Sequence, residues 1–147
     1  MAAYILDDYE SGISTMKLQK LCFFSQGWAF ALLDKPLFAQ YFQAWKNGPV
    51  NYELFDKHRG AFTITNWSVG DPASLSRRKK LVIDAVLRNY GSLSGLQLSE
   101  LTHKAGTPWA EARRRAGVAD GGAAQERILD DDMRQYFKNQ LTKNVVV

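Results

Sequence analysis

Between Met16 and Leu33 the apolar and small side chains Leu18, Leu21, Cys22, Ser25, Ala29 and Leu32 recur at three- and four-residue steps. That spacing puts them on one face of an α-helix. Lys17 and Lys20 are expected to hold the opposite face open to water in the first turns. Past Lys20 the charge disappears and the opposite face becomes Phe24, Gly27 and Ala31. A helix apolar on all sides must be covered on all sides, so this one is expected to run through the middle of the fold. The wholly apolar part is shorter than a membrane span of roughly 20 residues, and Gln26 interrupts it.

The flanking pattern is mostly helical. Ala3, Leu6 and Tyr9 fit a short helix over Ala2–Tyr9, with Ser11-Gly12 as its stop, and Ser14 or Thr15 can cap the central helix. Leu37–Trp45 alternates and reads as a strand. Lys46-Asn47-Gly48-Pro49-Val50 reads as a tight turn into a helix, with Pro49 at its first position and Tyr52, Leu54, Phe55 and His58 along it. Phe62–Trp67 has strand composition and could pair with the first strand, and Ser68–Ser74 reads as a loop. Helices follow over Leu75–Tyr90, with Val82, Ile83, Val86, Leu87 and Tyr90 inward, and over Ser94–Lys104, where Ser94 and Gln97 spell a capping box. Thr107-Pro108 opens another helix that holds Trp109, Ala112, Arg113, Arg114 and Arg115 and stops at Gly117. Val118–Ala124 is a small-residue loop, and Asp130-Asp131-Asp132 begin a last helix through Met133, Tyr136, Phe137 and Leu141. The expected fold is mainly α: a compact single-domain bundle over residues 1–147 around a buried central helix, with a small two-stranded β-ribbon.

Composition narrows the chemistry. The chain has 147 residues, 46% of them hydrophobic and 23% charged, enough for a real core and unlike a disordered sequence. One cysteine, Cys22, excludes an internal disulfide, and its helical position makes it a buried small hydrophobe. Met1–Glu10 is acidic without a basic n-region, so a secretory signal is not expected and a cytoplasmic location is. The net charge of +4 suits nucleic acid or an acidic protein alike. His58 and His103 stand far apart, with no metal-ligand spacing, phosphate loop or nucleophile elbow around them. No catalytic residue, cofactor or metal is expected. Arg77–Lys80 reads as a solvated helix face, as does Arg113–Arg115 unless a partner is acidic.

Two blocks carry a resemblance. Lys17-Leu18-Gln19-Lys20-Leu21 with Gln26-Gly27-Trp28, then Pro36-Leu37-Phe38 and Ala44-Trp45-Lys46-Asn47-Gly48-Pro49-Val50, form the first. Leu101-Thr102-His103 with Pro108-Trp109 and Ala112-Arg113 form the second, and Tyr136-Phe137 closes the pattern. Together they resemble the Panacea domain, the family of SocA-like antitoxins and phage-associated GepA-like proteins, from about Tyr4 to Phe137. Phe23-Phe24 departs from it, a tyrosine being more usual there. The resemblance implies an antitoxin that neutralises a cognate protein toxin by direct contact, without catalysis. It also brings in an ATP-dependent protease as a second partner, because one family member delivers its toxin to such a protease. Leu18, Leu21, Trp28 and Gly48 read as framework. Trp45, Asn47, Tyr52 and Trp109 are candidates for partner contact because tryptophan and tyrosine dominate interface hot spots, and Arg113, Arg114 and Arg115 could pair with an acidic toxin. The exposed strand edge near Phe62–Trp67 could add a strand of the partner. The alternative is a DNA-binding regulator, since Ser94–His103 and Pro108–Ala116 have the outline of a helix-turn-helix with three arginines. Those arginines crowd the wrong end of the second helix.

Overall fold

The computed structural model describes residues 1–65, 67, 70–119 and 121–146, with side chains to residue 143. Asn66 of the expected second strand, Ser68 and Val69 of the loop after it, and Asp120 of the small-residue loop lie outside the described residues. In chain order the elements are α1 (Ala2–Leu6), β1 (Ile13–Ser14), α2 (Thr15–Leu33), β2 (Phe42–Trp45), β3 (Gly48–Asn51), α3 (Tyr52–His58), β4 (Thr63–Ile64), a single 3₁₀ turn (Pro72–Ser74), α4 (Arg77–Tyr90), α5 (Gly95–Thr102), α6 (Pro108–Arg115) and α7 (Asp130–Val146). The fold is mainly helical, as the apolar periodicity predicts.

The long helix α2 is the axis. Ser14 caps it by accepting the Lys17 N–H at 3.1 Å, and every residue from Leu18 to Gly27 is buried. Helices α4, α5 and α7 and strand β3 pack around it, with α1 and α3 completing the cover. Phe23, Phe24, Phe42, Trp28 and Phe137 meet edge to face through this core, and Tyr90 stacks on Phe24 with ring centroids 4.4 Å apart. Edge-to-face contact is a favoured geometry for aromatic quadrupoles. Gly27 is required here, since a Cβ would stand 2.1 Å from the Phe137 ring. Cys22 is buried, and burial pushes its thiol up to about 12.

Four expectations need correction. Lys20 does not face water; it is buried beside Gly48 and Pro49. Pro49 does not start a helix. Gly48–Asn51 is a strand that folds back on β2 through Lys46-Asn47, pairing Trp45 with Gly48 and Phe42 with Asn51, and α3 starts at Tyr52 under an Asn51 cap. Proline is tolerated at a sheet edge because no ladder partner needs its missing N–H. Thr63–Ile64 pairs with Ile13–Ser14 and not with β2, so the described residues hold two small antiparallel pairs. The first strand is also shorter than the alternation suggested. Leu37 and Phe38 lie in a bend tied to α2, where Gln26 accepts the Leu37 N–H at 2.7 Å and donates to the Phe38 carbonyl at 3.0 Å.

The expected capping box of α5 is present in both halves, between Ser94 and Gln97. Thr107 caps α6, and Pro108 occupies its first turn. The segment before α7 adds a third, irregular line to the ribbon: Ala44 N–H donates to Glu126 O at 2.7 Å and Ile128 N–H to Phe42 O at 2.8 Å. Nothing in the small-residue composition of Val118–Ala124 announced that addition. No helix of the described residues is long and apolar enough to cross a membrane.

Candidate functional site

The β2–β3 hairpin is held by side chains along almost its whole length. Arg113 donates to Ala44 O at 3.0 Å, and the Trp109 indole N–H donates to Trp45 O at 2.7 Å. His103 Nε2 lies 3.2 Å from Lys46 O, and Ser99 Oγ donates to Asn47 O at 2.5 Å. On the returning strand Lys20 Nζ donates to Pro49 O at 3.1 Å. The Gln19 amide then acts as a strand would: its oxygen accepts the Asn51 N–H at 2.9 Å and its NH₂ donates to Asn51 O at 3.1 Å. Buried backbone groups must find partners, and a two-stranded ribbon leaves half of them unmet. Here α2, α5 and α6 supply the missing ones. The two sequence blocks of the resemblance are the two halves of one lock.

Electrostatics follow from this arrangement. The Gln19 NH₂ also lies 3.0 Å from His58 Nε2, so that nitrogen must accept and the ring must be neutral. Burial holds His58 below its ordinary value, and the Lys20 charge adds to the effect. Burial alone lowers Lys20 to about 8, and no carboxylate pairs with it among the described residues. Gly48 makes room for it. At φ 122° the backbone favours glycine, and a Cβ there would lie 2.5 Å from Lys20 Cε.

Above the lock sits an aromatic surface. Trp45 and Phe55 meet edge to face at 4.9 Å, and Tyr52, 44% exposed, lies 6.4 Å from Trp45 and 6.0 Å from Phe55. The Arg59 guanidinium covers the Phe55 ring at 5.0 Å and donates to the Tyr52 hydroxyl at 3.0 Å. Lys46 and Asn47 project at the hairpin turn and are exposed.

Against this frame the candidate residues separate. Trp45 and Tyr52 lie together in the aromatic cluster, and Asn47, exposed at the hairpin turn, lines a cleft with Trp45 and Phe55. Trp109 is buried, packed on His103 with ring centroids 3.9 Å apart. Arg113 is also withdrawn from the surface: it is 3% exposed, stacks on Trp109 at 4.9 Å, and donates to Ala44 O, Ala119 O and Gly122 O. Its charge belongs to the ribbon and not to a solvated face. Arg114 and Arg115 are exposed, but each is engaged within the chain, with Glu111 at 2.6 Å and Asp132 at 2.7 Å. Sequence reasoning missed Phe55 and Arg59 as members of the aromatic face, although their i, i+4 spacing on a basic-ended helix was available. It also missed the buried polar pair Gln19 and Lys20, which the apolar periodicity around them conceals. Among the described residues no group of three or more histidine, cysteine, aspartate or glutamate side chains could hold a metal ion.

Comparison with known proteins agrees with the resemblance. Residues 18–110 match the family described as Antitoxin SocA-like, Panacea domain. The chain is 32% identical over 142 residues to a protein named Antitoxin SocA from Caulobacter vibrioides (strain NA1000 / CB15N), covering 87% of this chain and 73% of that relative. No solved structure matches the chain.

Proposed function

The chain belongs to the SocA-like antitoxin family that carries the Panacea domain, and from that premise we propose that it is the antitoxin of a toxin–antitoxin pair, neutralising a cognate protein toxin by direct contact. The observation that carries this reading is the half-exposed cluster in which Tyr52, Phe55 and Arg59, on and just after α3, gather around Trp45 of a hairpin whose backbone is engaged along almost its whole length. Such residues on a rigid support are what protein interfaces use as hot spots. Trp45, Asn47 and Tyr52 contact the toxin in this reading, Trp109 and Arg113 hold them in place, and Arg114 and Arg115 lie at the rim.

The DNA-binding alternative has less in its favour. Base-reading side chains come from the start of a recognition helix, and Pro108 and Trp109 at the start of α6 are buried against the ribbon. Blocking the toxin and delivering it to an ATP-dependent protease both begin with the same contact. Toxin levels during rescue separate them, since delivery depletes the toxin and occlusion leaves it.

The test is co-expression of this chain with the product of the adjacent reading frame. Growth arrest by that product alone, relieved by this chain and not by a Trp45→Ala, Tyr52→Ala double variant that remains folded, is the expected result. Relief by the double variant at full strength would refute the assigned face, and a harmless neighbour, or arrest that this chain leaves untouched, would refute the antitoxin role.

A further inference from the structure

Lys20 has no counter-ion among the described residues, although it is 2% exposed. An ammonium group carries three donors, and one acceptor, Pro49 O, is supplied. Burying an unpaired charge is costly, and side chains held in that state gather at functional sites. Lys20 also lines a cleft of about 220 Å³ between the first turns of α2, the hairpin turn and α3. Trp45 and Phe55 form an aromatic wall of that cleft, Lys46 and Asn47 stand at the turn, and His58 lies with Lys20. Among the described residues no aspartate or glutamate lines it. The Lys20 charge is felt there, since it helps keep His58 neutral. The cleft falls below the roughly 300–1,000 Å³ of small-molecule and cofactor sites. It has room for a side chain.

We propose that this cleft is the anchor pocket of the interface and that its occupant is an aspartate or glutamate carboxylate of the protein partner. The inference rests on the antitoxin reading for the identity of that partner, and on charge complementarity for its chemistry. The carboxylate supplies the negative charge that Lys20 lacks, its methylene groups lie against Trp45 and Phe55, and Lys46 draws it in from solvent. A charge pair closed off from water slows dissociation, whereas an exposed rim charge acts mainly on association.

The probe is N-acetylglutamate, with N-acetylglutamine as its neutral counterpart, titrated into the purified protein while the Trp45 indole and Gln19 side-chain amide resonances are followed. Saturable shifts with the carboxylate and none with the amide are expected. Lys20→Met should weaken the response by about tenfold or more. If that variant does not fold, Lys46→Glu at the exposed turn tests the same field and should weaken it severalfold. Equal responses to both probes, no response to either at tens of millimolar, or undiminished binding by both variants would overturn the pocket. The two readings fail separately. Toxin relief that survives Lys20→Met and Lys46→Glu, with a silent probe, removes the pocket and keeps the antitoxin. Selective carboxylate binding without relief of any neighbour's toxicity keeps the pocket and removes the antitoxin.

Discussion

Replacing Lys20 with methionine should flatten the dependence of stability on pH between about 8 and 10. In the folded chain burial lowers Lys20 from 10.5 to about 8. Between those values the unfolded chain holds a proton that the folded chain has released, so unfolding takes up a proton and stability rises with pH. The gain begins near 8 and levels off near 10.5. At about 1.4 kcal/mol per decade, the whole range is worth roughly 3 kcal/mol, of which about 2 falls between about pH 7.5 and about pH 9.5. Other groups work in the same region. Lys17 is lowered by burial and adds a gain of the same sign, whereas Tyr4 is pushed up to about 12 by its hydrogen bond to Asp84, and Tyr9, Tyr90 and Tyr136 are raised by burial. A tyrosine raised in the folded state stabilises below its unfolded value near 10 and loses that contribution as pH climbs further. These effects are common to both proteins, so the difference between wild type and Lys20→Met isolates Lys20. Guanidinium unfolding at several pH values supplies it. Parallel curves for the two proteins would refute the argument, because they would mean that the ammonium keeps its water or has found a partner.

Three further substitutions test the frame. Gln19→Leu keeps the volume but strands the Asn51 N–H and carbonyl, both served by Gln19; at roughly 1–3 kcal/mol for each buried unmet group, a loss of about 2–6 kcal/mol is expected by chemical denaturation, and a loss under about 1 would contradict it. Arg113→Met removes the donor shared by Ala44 O, Ala119 O and Gly122 O, so it should cost about 3 kcal/mol and speed amide exchange at Ala44 and Ile128; Arg114→Ala, at an exposed pair, should leave the unfolding midpoint unchanged. Gly27→Ala improves intrinsic helix propensity by up to about 1 kcal/mol. It should nevertheless lower the melting temperature, because its Cβ would enter the Phe137 ring and overpacking costs typically about 1–3 kcal/mol. A more stable alanine variant would show that the ring moves aside freely.

What could be read in advance was local or periodic. The apolar repeat of α2 as far as Ala29, the Ser94–Gln97 box, the Thr107-Pro108 start of α6 and the apolar stripe of α4 each depend on residues a few positions apart, and each is present as expected; Leu32, the last residue of that α2 repeat, is instead 48% exposed in the final turn of the helix. The hairpin was not legible in the same way. Asn47-Gly48-Pro49 has turn chemistry, but whether Pro49 opens a helix or ends a turn into an edge strand depends on whether anything donates to its carbonyl. Lys20, about thirty residues earlier in the chain, is the donor. Lys20 and Gln19 misled for a related reason. A pattern of apolar positions treats polar residues as outward-facing, and these two face inward because a short ribbon beside α2 leaves backbone groups that apolar side chains cannot satisfy. Arg113 repeats the lesson on α6, where three adjacent arginines look alike and only the middle of the fold distinguishes the first.

The division between lock and face bears on how such a protein can bind. A loop that orders on binding spends part of its interaction energy on that ordering. The β2–β3 turn avoids the expense, because Arg113, Trp109, His103 and Ser99 grip consecutive carbonyls from Ala44 to Asn47 in the free chain. The groups doing this work lie behind the ribbon. The side chains of Lys46, Asn47 and Tyr52 take no part in those backbone contacts, so their identities can change with little effect on the frame. Lys20 stands between the two roles. Its ammonium closes the lock at Pro49 and, among the described residues, leaves a charge unanswered; that makes the free chain less stable than it could be, and in the proposed interface it is what an acidic partner completes.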